Sequence, residues 1–131
     1  MIYMGYYSYV QIATTQKGFE KIKAGQENFE DGELMDIAEI TNYKKFDKDY
    51  VLISWDSIKY YKEFKDIQEL EKSLAKIKDG YVFCRLGEEN GDIEFRKKSK
   101  DPALMEQFKF VKDIRDKLNK EFKDEEEEEF E

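Results

Sequence analysis

Along residues 6–97 the spacing of apolar side chains switches repeatedly between the two-residue period of a strand and the 3.6-residue period of a helix, and this alternation limits the folds open to the chain. Ser8, Val10, Ile12 and Thr14 share one face of a first strand, with Tyr7, Tyr9, Gln11 and Ala13 on the other; Val10 and Ile12 are expected to point inward. Thr14 or Thr15 is a suitable N-cap for a helix from about Gln16, with Phe19, Ile22 and Phe29 near one face and Gln26 filling the gap. Gly18 and Gly25 each cost this helix about 1 kcal/mol relative to Ala, so it depends on packing. Asp31-Gly32 signals its end.

Ile37–Tyr43 and Tyr50–Trp55 read as strands flanking a charged, turn-rich segment, Lys44–Asp49, which lacks the Asn-Gly or Asp-Gly pair that would set the register of a hairpin. Val51, Ile53 and Trp55 alternate with Tyr50, Leu52 and Ser54, and both sets are rather apolar, as in an interior strand. Asp66 is the expected cap of a second helix bearing Ile67, Leu70, Leu74 and Ile77 on one face, ended by Asp79-Gly80. Tyr81–Leu86 is a further strand, 88–91 a turn, and Asp92–Lys97 a charged arm suited to a sheet edge. The expected fold is α+β: a ferredoxin-like βαββαβ(β) antiparallel sheet with two packing helices, plus a C-terminal helix and a disordered acidic tail.

Three regions follow from this reading. Residues 1–97 form the α+β sandwich. Residues 98–123 are a linker and an amphipathic helix opened by Asp101-Pro102 and striped by Leu104, Phe108, Val111, Ile114 or Arg115, Leu118 and Phe122. That stripe either covers one face of the sheet or pairs with its copy in a homodimer. Residues 124–131 hold seven acids, no base and one aromatic, Phe130, and are expected to repel themselves into disorder. The net charge of −8 belongs almost wholly to them, since the rest of the chain has 23 basic and 24 acidic residues. A body so close to neutral has no global basic signature for nucleic acid.

Cys84, the only cysteine, allows no internal disulfide and lies in the apolar run Tyr81-Val82-Phe83-Cys84, where it reads as a small buried hydrophobe in a reducing cytoplasm. No apolar run approaches the length of a membrane span, and the opening residues lack a leader pattern. The chain has no histidine, which excludes Ser-His-Asp and Cys-His catalysis, and it carries neither phosphate-binding glycine motif. Gly87–Asp92 offers oxygen ligands but departs from the calcium-loop spacing, so no metal or cofactor is expected.

What remains is a pair of segments crowded with aromatic and charged residues, each where a strand leaves the sheet. Trp55, Asp56, Lys59, Tyr60 and Tyr61 come from the first, and Arg85, Glu88 and Asp92 from the second. Together they are the candidate binding surface, with no catalytic residue among them. Each has a plainer reading as well. Trp55 sits at inward strand parity, Trp55, Tyr60, Tyr61 and Phe64 lack the signature of an RNA-stacking platform, and Lys59 and Arg85 would serve as ordinary ion-pair partners of Asp56 or Glu88.

Met4-Gly5-Tyr6-Tyr7-Ser8, the block Trp55-Asp56-x-x-Lys59-Tyr60-Tyr61 and the block Phe83-x-Arg85-x-Gly87-Glu88-x-x-x-Asp92-Ile93-Glu94 resemble a group of small proteins encoded by phages and prophages of Firmicutes-type bacteria. The resemblance covers roughly 4–96. It implies a mobile-element origin, a bacterial cytoplasm and joint action of Trp55, Asp56, Lys59, Arg85, Gly87, Glu88 and Asp92. Cys84 stands where an aliphatic residue is more usual in that group. The expected function is a non-enzymatic interaction protein, an inhibitor of a host defence or nucleic-acid-handling protein that presents a basic surface to the acidic tail. A nucleotide or small-molecule pocket near Trp55, Lys59 and Arg85 is the alternative, and a single-stranded nucleic-acid binder the third reading.

Overall fold

A computed structural model describes residues 5–27, 33–78, 80–89, 91–98 and 103–106. The elements in chain order are β1 (Ser8–Thr15), α1 (Gln16–Gln26), α2 (Glu33–Asp36), β2 (Glu39–Lys45), β3 (Lys48–Ile58), α3 (Lys65–Lys76), β4 (Tyr81–Leu86), β5 (Ile93–Lys97) and α4 (Ala103–Glu106). Among the described residues the strands form one open, antiparallel, five-stranded sheet in the order β2-β3-β1-β4-β5. The class is therefore α+β. No described helix is long and apolar enough to cross a membrane.

Strand alternation separates two cores. Val10 and Ile12 join Val51, Ile53, Trp55 and Phe83 on the face packed by Ile22 of α1 and by Ile67, Leu70 and Leu74 of α3. On the opposite face Ala13, Tyr50, Leu52, Val82 and Cys84 form a second cluster with Ala103 and Leu104. β3 lies between β2 and β1 and is buried on both faces, which explains why its alternation carries little polarity. Burial in this apolar setting raises the Cys84 thiol to about 12, as befits an inert core side chain.

The elements begin and end for local reasons. The Thr15 hydroxyl accepts the Gly18 backbone N–H at 3.1 Å and caps α1. Gly25 has a structural use beyond its cost to the helix, because a Cβ there would run into the Ser73 hydroxyl of α3, so glycine permits the close approach of α1 and α3. The expected Asp66 cap is displaced. Phe64 occupies the cap of α3, and Asp66 lies in the first turn, where its carboxylate accepts the Ile67 N–H at 2.7 Å. The carboxylate still meets a free helical N–H there and favours the positive end of the helix dipole.

The hairpin is tighter than the segment Lys44–Asp49 implied. β2 and β3 close around Phe46-Asp47 alone, both in the left-handed region with φ of 52° and 63°. Two positive φ values in a two-residue loop match the twist of the flanking strands; here non-glycine residues adopt them, so the usual sequence signal is missing. The strand expected from Ile37 starts at Glu39, because residues 33–36 form the short turn α2, whose Leu34 carbonyl accepts the Trp55 indole N–H at 2.6 Å. Phe29, Asp31-Gly32, Asp79, Asn90, Asp101-Pro102, the stripe beyond residue 106 and the acidic tail lie outside the described residues.

Candidate functional site

The start of β1, the end of β3, the end of β4 and the start of β5 all lie at one end of the sheet, which brings the N-terminal segment beside both aromatic-charged segments. A register shift between Ser8 and Val10 inserts an extra residue in β3 opposite β1, since Ser8 faces Ile58 while Val10 faces Trp55. This bulge exposes Asp56 and Ser57 and returns Ile58 to the core three residues after Trp55.

Tyr6 ties this end together. Its backbone N–H donates to the Tyr61 hydroxyl at 2.6 Å, and its own hydroxyl donates to Asp92 Oδ2 at 2.5 Å while accepting the Glu89 N–H at 3.0 Å. The hydrogen bond to Asp92 raises the Tyr6 pKa by holding the proton on the phenol. Arg85 Nη2 donates to Asp92 Oδ1 at 2.8 Å and Nη1 to Oδ2 at 3.2 Å, while Nη1 also reaches the buried Ser8 hydroxyl at 3.1 Å. The Asp92 bonds raise the Arg85 pKa, and this planar two-point pairing fixes orientation as well as charge.

From Arg85 the charges continue along the helix-side face of β4 and β5. Arg85 Nε donates to Glu94 at 3.3 Å, the other Glu94 oxygen lies 3.7 Å from Arg96 Nε, and Arg96 Nη1 and Nη2 each donate to Glu71 of α3 at 2.7 Å. The Tyr60 hydroxyl donates to the same Glu71 at 2.5 Å. Burial alone would raise the Glu71 pKa, but hydrogen bonds from Arg96 and Tyr60 prevail and leave it lowered. Burial, reinforced by Glu71, raises the Tyr60 pKa. The Arg96 guanidinium lies 4.0 Å from the centroid of Phe83 and covers that wholly buried ring.

These partners assign the expected surface residues to different places. Trp55 is 1% exposed and belongs to the core, a correction to its reading as a contact anchor. Its inward parity and bonded indole N–H leave no surface to offer. Tyr60 is likewise turned toward Glu71 and Phe83, with its ring 5.5 Å from the latter. Tyr61 packs on Phe64 at 5.2 Å, so the four-aromatic platform reduces to one tilted pair. The plainer reading of Lys59 and Arg85 paired them with Asp56 or Glu88. Instead Arg85 takes Asp92 and Glu94, which its strand register places beside it, and the Lys59 ammonium sits 5.6 Å from the Tyr7 ring centroid. The side chains of the supposed Trp55, Lys59 and Arg85 pocket are thus committed to separate partners. A cavity of about 410 Å³ does touch Trp55, but its walls are Ile37, Glu39, Ser54, Asp56, Ser57 and Ile58, without a cation for a phosphate.

The rim itself combines exposed Asp56, Lys59 and Glu88 with Tyr7, which is 38% exposed. Glu88 Oε1 accepts the Tyr7 backbone N–H at 3.2 Å. Sequence reasoning missed Tyr6, Tyr7, Ser8, Glu71 and Arg96 as members of these networks. Of these, Tyr6, Tyr7 and Ser8 had a signal, the Gly-Tyr-Tyr-Ser opening. Among the described residues no group of three metal-ligating side chains converges. No protein-family model, curated protein or solved structure matches the chain.

Proposed function

We propose that this chain is a non-enzymatic interaction protein of phage or mobile-element origin, acting in a bacterial cytoplasm by binding and inhibiting a host defence or nucleic-acid-handling protein. One observation carries the reading: Tyr6, Asp92 and Arg85 clamp three remote chain segments and leave Tyr7, Lys59 and Glu88 side by side on the outer rim. Tyrosine is enriched among the residues that dominate binding energy, and holding it rigid before encounter lowers the ordering cost of association. The groups of the clamp satisfy one another, consistent with support of a surface more than with turnover. The sheet is read as ferredoxin-like with an added edge strand, supported by the order β2-β3-β1-β4 and by α1 and α3 sharing one face.

Quantitative affinity capture from bacterial lysate tests this reading. A protein retained by the native chain should fall about tenfold or more with Tyr7→Ala or Lys59→Ala, and be unaffected by Lys72→Ala on the exposed side of α3. Equal retention by all variants would remove the rim from the account.

A further inference from the structure

The outer edge of β2 fits a second copy of the same strand. β2 is seven residues long, pairs with β3 without a register shift, and holds no proline; its centre, Ile40-Thr41-Asn42-Tyr43, is uncharged. The opposite edge, β5, is shorter and charged at Glu94, Arg96 and Lys97, the usual protection against edge pairing. Residues 39–42 and Lys44 are exposed. The loop at Phe46-Asp47 makes Lys45–Lys48 a hydrogen-bonded pair, and strict alternation from it directs the backbone groups of Ile40, Asn42 and Lys44 outward.

We propose that two chains associate by antiparallel pairing of β2 with β2 about a two-fold axis at Asn42. In that register Asn42 faces its own copy, Ile40 faces the second copy's Lys44, and Thr41 faces its Tyr43. Glu39 then lies opposite the second copy's Lys45, and the symmetry gives this opposite-charge pair twice. Both residues already have an interaction within their own chain, so the pair adds to it. Beyond the paired ends, Phe46 of one chain reaches Ala38 of the other, beside Ile37. Phe46 is 80% exposed and Ile37 62%, the two most exposed large apolar side chains among the described residues; they flank β2 in the chain, and Ile40, on the strand, is 39% exposed. One symmetry operation thus matches the charges, the outward backbone groups and the exposed apolar residues. The product is a continuous sheet through both copies.

Sedimentation velocity of the full chain over a concentration series tests this. The 15.8 kDa chain should move toward twice that mass as concentration rises. Asn42→Lys, which sets two ammonium groups face to face on the axis, and the single changes Glu39→Lys and Lys45→Glu should each raise the dimer dissociation constant about fivefold. The double variant Glu39→Lys with Lys45→Glu should restore the native value, a rescue that misfolding does not produce. A chain that stays monomeric to its solubility limit overturns the proposal. So does a dimer indifferent to all these changes, which would use another surface such as the stripe 104–122.

Discussion

Gly87 has space for a hydrogen and nothing larger. Its N–H donates to the Asp92 carbonyl at 2.8 Å, and a Cβ would run into both the Asp92 carboxylate and the Tyr6 hydroxyl. Gly87→Ala should therefore destabilise the chain by about 1–3 kcal/mol, seen as a lower urea midpoint. Removing the phenolic oxygen relieves one of the two collisions, so Gly87→Ala combined with Tyr6→Phe should cost less than the sum of the single changes. Strict additivity would mean that the two groups do not meet. In the sequence Gly87 stood only as one letter of a short block, and Tyr6 as part of an opening motif. Their relation was hidden because Tyr6 and Asp92 are 86 residues apart, and nothing local in either segment encodes so distant a partner.

The β4–β5 arm shows how an edge strand can be charged on its inward-facing side. Register puts Glu94 opposite Arg85 and Arg96 opposite Phe83, so these charges lie on the helix-side face, where Arg96 caps the core and anchors to Glu71 of α3. The Glu71 pKa lies below its ordinary value of 4.5, so its contribution to stability is fully present above that value and fades as the pH falls through and below it. Glu71→Gln should cost about 1–2 kcal/mol at neutral pH, a modest figure because the pair is partly solvated. The gap between native and variant chains, followed by denaturant melts, should close as the solution is acidified below the carboxylate range; a gap that widens would contradict the assignment. The charge of this arm was legible in the sequence, and so was its place at an edge. Which face the charges take was not, since a shift of one residue reverses every side chain and only pairing with β4 decides it. The tight Phe46-Asp47 turn was obscured for another reason: its conformation is signalled by Asn-Gly or Asp-Gly, and the loop has Phe46-Asp47 in their place.

For the molecule as a whole, apolar periodicity was enough to anticipate strands, helices and the antiparallel sheet, because β1, β3, β4 and α3 carry most of the buried apolar side chains. The site was only half legible: composition marked the two segments, yet Trp55 was drawn into the core by its strand parity and Tyr60, beyond the end of β3, by its contacts with Glu71 and Phe83, while Tyr7 became exposed at the rim. Charge is distributed just as unevenly, with seven acids in residues 124–131 and a body of 23 basic and 24 acidic residues. If the rim binds a host protein with a basic surface, those acids act before contact, over distances set by the Debye length, about 10 Å at 0.1 M salt. Deleting 124–131 should slow association with the captured partner about tenfold at low ionic strength, leave dissociation unchanged, and have no effect in roughly 0.5 M salt. Biolayer interferometry on native and truncated chains separates these rates. An unchanged association rate at low salt would deny the tail any steering role. A faster one would mean that the tail competes with the partner for the chain's own basic side chains.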